Sequence, residues 1–223
     1  MTLLSFIQKK LSKNEKVEKT PQRKPRFPYN APGMKKNHIQ TGKHISSRGD
    51  CAIEFWRDSC ENQIIIGDNF QAVNLKITFK GRNSKLIIGN NVKWSGYILI
   101  VGDNREVIIG DNSTSGTTYI LSRHANVYIG QDCMLSREIE IRSSDVHKIY
   151  DINTNKRINH ASDVIIEDNV WIAARSIISK GSVVPKGSVI DAASFVNKAF
   201  DEENCVLAGS PAKIVKRNIR WER

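Results

Sequence analysis

Residues 164–196 read VIIEDN VWIAAR SIISKG SVVPKG SVIDAA SFV, and the period of that stretch decides the fold. Ile166, Ile172, Ile178, Val184, Ile190 and Val196 stand six residues apart, and four residues after each of the first five come Val170, Ser176, Ser182, Ser188 and Ser194. An amphipathic helix repeats its apolar face about every 3.6 residues and a half-buried strand about every 2, so a sustained period of six fits neither. It fits a three-sided coil. Each apolar residue points into a narrow interior, each small residue fills the next corner, and the sides stack into a parallel β-solenoid.

Upstream, Ile129, Leu135 and Ile141 keep the same step of six. Further out a phrase recurs: Ile64-Ile-Ile-Gly-Asp-Asn69, Leu86-Ile-Ile-Gly-Asn-Asn91, Val107-Ile-Ile-Gly-Asp-Asn112, Val127-Tyr-Ile-Gly-Gln-Asp132 and Val164-Ile-Ile-Glu-Asp-Asn169. Its isoleucines 66, 88, 109 and 129 lie 22, 21 and 20 residues apart, and Ile166 follows after 37. A period near 20 with one insertion marks a solenoid carrying one loop. Each phrase is a short β-branched strand followed by Gly-Asp or Asn-Asn turn chemistry.

The 223 residues suit one domain. The longest apolar run, Tyr97 to Val101, is far short of the roughly 18 to 20 residues a membrane-spanning helix needs. At the start, Met1 to Gln8 is mildly apolar with its basic residues after it and no small-residue cleavage site, so a signal peptide is not expected and the protein is read as cytoplasmic. Cys51, Cys60, Cys133 and Cys205 are 9, 73 and 72 residues apart and read as free thiols.

The net charge of +11 is unevenly spread. Residues 1–50 hold 12 Lys+Arg and 3 Asp+Glu, a balance of +9, leaving 22 minus 20, or +2, for residues 51–223. The basic residues are strung among Pro21, Pro25, Pro28 and Pro32 rather than interleaved with aromatics on a folded face, which argues against a nucleic-acid partner. The expected organisation is a basic extension and linker over 1–50, a solenoid over 51–198 with a loop at about 143–159, and a short tail over 199–223. Within the extension, Leu3, Leu4, Ile7 and Leu11 recur at helical spacing beside Phe6. Such a helix lies on an anionic membrane surface or packs on its own domain or a neighbouring subunit, and both readings stand.

With these residues in hand, the chain resembles the hexapeptide-repeat acyltransferases, and more narrowly the bacterial O-acetyltransferases of capsule, lipopolysaccharide and other surface sugars. The resemblance covers roughly residues 60–216; it rests on Ile166-Glu-Asp-Asn-Val-Trp-Ile172, the serine hexads and Ala208-Gly-Ser-Pro-Ala-Lys-Ile-Val215. It implies an all-β, left-handed parallel β-helix, a homotrimer with active sites between neighbouring subunits, and acetyl-coenzyme A as donor.

The insertion Ser143-Ser-Asp-Val-His-Lys-Ile-Tyr-Asp-Ile-Asn-Thr-Asn-Lys-Arg-Ile-Asn159 carries His147. A sugar hydroxyl is a poor nucleophile at neutral pH, and its attack on a thioester needs a base titrating near the working pH. By resemblance His147 is that base, Asp145, His147, Arg157 and Trp171 match the family pattern, Arg157 is a candidate acceptor contact, and Trp171 packs beside the histidine and the acyl group. Asp145 either orients the imidazole or is simply solvated. His38, His44, His124 and His160 read as structural or solvent-facing. The spacings of 23 and 13 among His124, His147 and His160 do not match the zinc-binding pattern found on this fold, so no metal is expected.

Coenzyme A needs a slim groove and cations at its nucleotide end. Ala173, Ala174 and Ala192 keep successive corners small, and by resemblance the Ala174 N–H lies near the thioester carbonyl, where it would stabilise an oxyanion. Lys198, Lys213 and Lys216 are candidate phosphate contacts or solvated charges. Glu167, Ala173 and Arg175 depart from the glycines usual in the family at these places. The expected activity is acetyl transfer to a sugar hydroxyl of a bacterial surface polysaccharide or its precursor. The alternatives are N-acetylation of an amino sugar and, from a different class, a catalytically silent β-helix serving as an assembly module.

Overall fold

The computed structural model describes residues 36–223. The expected helix at Leu3 to Leu11 and the proline-punctuated basic run lie outside the described residues. Among the described residues no helix is long and apolar enough to cross a membrane.

The strands follow one another coil by coil. The first coil holds β1 (His38–Thr41), β2 (Ser46–Arg48) and β3 (Ala52–Phe55). In the next two, β4 (Gln63–Ile66) leads to β5 (Gln71–Lys80), and β6 (Lys85–Ile88) to β7 (Lys93–Val101). The fourth is β8 (Glu106–Ile109), β9 (Thr114–Ser115) and β10 (Thr118–Arg123); the fifth is β11 (Val127–Ile129), β12 (Met134–Leu135) and β13 (Ile139–Arg142). The sixth is β14 (Val164–Ile166), β15 (Trp171–Ile172) and β16 (Ile177–Ile178), and the seventh β17 (Val183–Val184), β18 (Val189–Ile190) and β19 (Phe195–Val196). A hairpin of β20 (Val206–Gly209) and β21 (Ala212–Lys216) follows.

One side of the prism is a seven-stranded sheet in the order β1-β4-β6-β8-β11-β14-β17, and the other two sides form a single fourteen-stranded sheet because β5 and β7 bend through the corner between them unbroken. All pairings between successive coils are parallel, and residues in register stack directly. Ile53, Ile77, Ile98, Ile120, Ile141, Ile178 and Val196 form one such column on the third side, each fully buried. The first coils depart from strict hexads because their interior is wider: Phe55, Phe70, Phe79 and Trp94 fill it, with Phe55 and Phe79 stacked at 5.4 Å.

The recurring Gly-Asp-Asn phrase makes the first corner, between the first and second sides. Asn69, Asn91, Asn112, Asp132 and Asn169 all turn with φ between 54 and 59°. Their side chains link coil to coil, Asn69 to Asn91 at 2.8 Å, Asn91 to Asn112 at 3.0 Å and Asn112 to Asp132 at 2.9 Å. Gly89 is needed for close approach, since a Cβ there would lie 2.7 Å from the Asp111 backbone nitrogen. The serines of the hexads are buried, and they do more than fill space. Ser176 Oγ donates toward the carbonyls of Ala173 (2.9 Å) and Asp191 (3.0 Å), and Ser182 Oγ donates to Val196 O at 3.0 Å, beside the bond that carbonyl accepts from Ser179 N, so the hydroxyls satisfy corner carbonyls as well as themselves.

Two boundaries differ from the sequence expectation. The solenoid begins at His38, inside the stretch read as extension, because His38–Thr41 pairs in register with Gln63–Ile66 and Ser46–Arg48 with Gln71–Val73. These strands lack the Gly-Asp phrase and so carried no repeat signal. At the other end, Val206 and Leu207 continue the second side beside Val189 and Ile190, so the coil runs into the stretch read as tail.

Candidate functional site

The insertion leaves the third corner, where the chain passes from the third side back to the first, between β13 and β14. Its base is fixed by buried Ser143, whose Oγ accepts from the Arg123 N–H at 2.9 Å and donates to Ala125 O at 3.0 Å. Its far end is a short antiparallel bridge, Tyr150 to Arg157, closed by a turn in which Asp151 Oδ1 accepts from Thr154 N at 2.7 Å and Asn153 N at 3.0 Å.

His147 is exposed and follows a tight turn. Its N–H donates to Asp145 O at 2.8 Å, and between them Val146 has φ 71°. That is a γ-turn of the strained hand, and a β-branched residue held there costs on the order of 1–3 kcal/mol and persists only where its surroundings over-determine it. Asn159 supplies that constraint. Its buried amide donates to the Asp145 carboxylate at 3.0 Å and to His147 O at 2.7 Å, while its Oδ1 accepts from Ile149 N at 2.7 Å. Lys180, from the third corner of the following coil, pairs with the same Asp145 carboxylate. Burial works against the charge on Asp145, but the hydrogen bonds from Lys180 and Asn159, with the nearby charges of Lys180 and Arg142, hold its carboxyl below the ordinary value.

The sequence leaves Asp145 either orienting the imidazole or solvated, and in the folded chain its main-chain carbonyl accepts from the His147 N–H at 2.8 Å. Its carboxylate is engaged by Lys180 and Asn159, and it positions His147 through the main chain. Arg157 is also turned inward on the loop, its Nη2 donating to Asn159 O at 3.0 Å. His160 meets Arg157 O at 3.1 Å.

Trp171 lies elsewhere. It opens the second side, half-buried beside the first corner, while His147 leaves from the third corner. Within one chain the two are therefore apart, and the expected packing of Trp171 beside the histidine concerns a site shared between neighbouring subunits. Trp171 packs on Trp221, ring centroids 6.1 Å apart, and the Trp221 Nε1 donates to Asn169 O at 2.9 Å. Arg223 Nη2 continues the clasp to Cys133 O at 2.8 Å and Asn112 O at 3.1 Å.

Ala173, Ala174 and Ala192 cluster at the second corner. The N–H of Ala173 is used by Ile190 O at 2.9 Å and that of Ala192 by Asp191 Oδ1 at 2.9 Å, whereas among the described residues the Ala174 N–H has no acceptor. Lys213 and Lys216 are exposed on β21; Lys198 is at the third corner of the last coil, its ammonium 5.1 Å from the Phe200 ring centre, on the histidine's edge rather than with the alanines. Burial pushes the Cys133 thiol up to about 12, and it donates to Glu167 O at 3.1 Å, so it is no nucleophile. Sequence reasoning passed over Asn159, Lys180 and Trp221, since nothing in local spacing ties Asn159 or Lys180 to His147, or Trp221 to Trp171.

No family model matches the chain. A polysialic acid O-acetyltransferase of Neisseria meningitidis is 40% identical over 163 residues, which cover 73% of this chain and 76% of that protein. The chain belongs to the capsule sugar O-acetyltransferase family. A second member of the family, the polysialic acid O-acetyltransferase of Escherichia coli O1:K1 / APEC, is 48% identical over 137 residues, 61% of this chain, and the match spans only 44% of that longer protein. The crystal structure of the polysialic acid O-acetyltransferase OatWY superposes with a TM-score of 0.70 at 32% identity, covering 84% of this chain and 91% of that one. The solenoid is the left-handed parallel β-helix of the family.

Proposed function

We propose that the chain transfers an acetyl group from acetyl-coenzyme A to a hydroxyl of a capsule polysaccharide built from sialic acid, with His147 as the general base. The observation that carries this reading is the pinned backbone around His147: a strained turn held by Asn159, Asp145 and Lys180 sets where the imidazole leaves the loop. The sialic acid acceptor comes from the names of the relatives.

In this reading His147 takes the proton of the attacking hydroxyl as its oxygen bonds to the thioester carbonyl carbon. The Ala174 N–H, free of acceptors among the described residues, donates to the oxyanion that forms, and small Ala173 and Ala192 leave room for the pantetheine. As the carbon–sulfur bond breaks, the imidazolium returns the proton to the departing thiolate. Lys213, Lys216 and Lys198 supply positive charge for the donor phosphates, and Arg157 borders the acceptor side.

His147 and Ala174 stand on different edges of the coil, so one reaction centre requires two chains. A homotrimer in which the loop of one subunit meets the second corner of its neighbour joins them. The loop suits such a contact: Ile149, Tyr150, Ile152 and Ile158 are 50–94% exposed. The basic N-terminal stretch, with its balance of +9, draws the enzyme toward an anionic membrane face.

The test is release of free thiol from acetyl-coenzyme A in the presence of polysialic acid. Replacing His147 with Ala lowers turnover roughly 100- to 10,000-fold and leaves donor affinity nearly unchanged. Near-wild-type turnover in that variant overturns the reading.

A further inference from the structure

The third corner carries positive charge coil after coil. Arg57 stands on the first coil, Lys80 and Arg82 on the second, Arg105 on the third, Arg123 on the fourth, and Lys148 and Arg157 on the loop that bears His147. Main-chain hydrogen bonds tie these corners together: Asn83 N to Cys60 O at 3.1 Å, Asn104 N to Arg82 O at 2.9 Å and His124 N to Val101 O at 3.2 Å. Parallel coils are spaced by about 4.8 Å, so the four steps from the first coil to the loop span about 19 Å. The first corner, by contrast, carries Asp68, Asp111, Asp132 and Asp168.

Arg105 Nε donates to Asp103 O at 2.9 Å and Arg157 Nη2 to Asn159 O at 3.0 Å, but no carboxylate of the described residues neutralises the charge of the row. Among the described residues Lys80, Arg82, Arg105, Arg123, Lys148 and Arg157 form no ion pair, and Arg123 keeps a buried Nε without a partner. The nearby carboxylates are occupied by main-chain donors, Asp103 by Arg82 N at 2.8 Å and Asp163 by Asn126 N at 2.8 Å, while Asp58 and Glu61 lie exposed on the first coil. His124 sits amid the row. Burial, and then Arg123, Arg105, Arg157 and Lys148, push its pKa below the ordinary value, as expected where cations from three coils converge. At the far end Trp56 is half exposed in a groove with Arg57, Lys80 and Arg82, with the Lys80 ammonium 4.3 Å and the Arg57 guanidinium 4.9 Å from its ring centre. An exposed indole framed by cations suits a sugar ring that bears a carboxylate.

We propose that the third corner is an extended acceptor track, along which a carboxylate-bearing polysaccharide lies from the Trp56 groove to His147, several units being held while one reacts. The proposal rests on the reading that the acceptor is an acidic capsule polymer, and it adds where that polymer runs and why chain length matters. Regularly spaced cations without an internal ion pair fit a chain that repeats a negative charge. A short oligomer reaches only the loop end, and a neutral polymer gains nothing from the row.

The experiment uses the full chain. Binding to long polysialic acid, a short oligomer of the same sugar, neutral dextran and single-stranded DNA is measured without donor, and kcat/KM is then compared for the long and short acceptors. Long polysialic acid binds tightest, and binding weakens as salt rises. Arg82→Ala and Lys80→Ala each lower long-chain binding about fivefold and shrink the long-to-short preference in kcat/KM, whereas Lys43→Ala, at the first corner, does not. Melting curves confirm that the variants are folded, and the milder Arg82→Gln serves if Arg82→Ala is not. An undiminished long-to-short preference in both variants overturns the proposal. DNA binding that equals polysialic acid and falls in the same variants overturns its assignment to an acidic sugar. Variant-sensitive binding without acetyl transfer to either acceptor upholds the track and removes the proposed function; transfer without length preference does the reverse.

Discussion

Asn159 donates to the main-chain carbonyl of His147 at 2.7 Å, so a residue twelve positions along the chain sets the direction in which the imidazole leaves the loop. Replacing Asn159 with Ala removes that bond and the one to Asp145 together, and leaves the strained φ of Val146 without support. Misplacing a catalytic group by about 1 Å can cost about 100-fold in rate. Asn159→Ala is expected to lower kcat by ~10- to 100-fold with little change in melting temperature, because the loop stands outside the coil. Steady-state kinetics beside thermal unfolding checks both halves.

The Asp145 carboxylate makes the loop acid-sensitive. Its folded pKa is depressed below the ordinary value of 3.8, so its stabilisation is fully present above that value and is lost as pH falls through the lower, folded one. Lys180→Met removes the leading stabilising partner and raises the folded pKa. The variant is expected to show faster amide exchange in residues 145–159 at every pH, with acid loosening beginning at higher pH than in the wild type. Equal exchange in the two proteins contradicts this.

Trp221 is expected to act on catalysis through Trp171, if Trp171 borders the acyl group as the family resemblance implies. Trp221→Ala frees one face of Trp171 and removes the donor to Asn169 O. The expected outcome is a several-fold loss in kcat/KM and a shift in indole fluorescence, with coil stability nearly unchanged. Fluorescence in a background with Trp56 and Trp94 replaced by Phe, compared with and without Trp221, reads the contact directly.

Gly89→Ala tests the corner chemistry. The added Cβ would lie 2.3 Å from Asp111 Oδ1 and 2.7 Å from its backbone nitrogen, and the backbone cannot move without disturbing the next coil. A destabilisation of about 1–3 kcal/mol is expected by denaturant unfolding. For scale, truncating buried Ile120 to Ala should cost about 2–5 kcal/mol.

The coil was legible in the sequence wherever one constraint repeated. Hexads at 166–196 appear because every side must point an apolar residue inward at the same step, and Gly-Asp-Asn appears because each corner must pass close under the next. His38–Thr41 was missed because its corner keeps the glycine and the left-handed turn, at Gly42 and His44, but with Lys-His in place of Asp-Asn, and the wide first coils took Phe70 in place of the small corner residue. Within the site, His147 was visible as chemistry in a loop. Asn159 and Lys180 were not, since their roles arise from where the loop folds back on the following coil, a geometry with no period. Trp171 was recognisable by motif, but its separation from His147 depends on which edge of the prism each occupies.

The clasp of the last residues has a kinetic meaning. Neighbouring coils join residues about one repeat apart, so the solenoid can assemble by nearest-neighbour zippering, a regime of local contacts and fast propagation. The bonds from Trp221 to Asn169 and from Arg223 to Cys133 and Asn112 close separations of 52, 90 and 111 residues. They can form only after the coils beneath them have stacked. Folding therefore has a late closing step that finishes the surroundings of Trp171 on a coil already built, and a chain stalled before it would look native by its β-sheet signal while that clasp was still open.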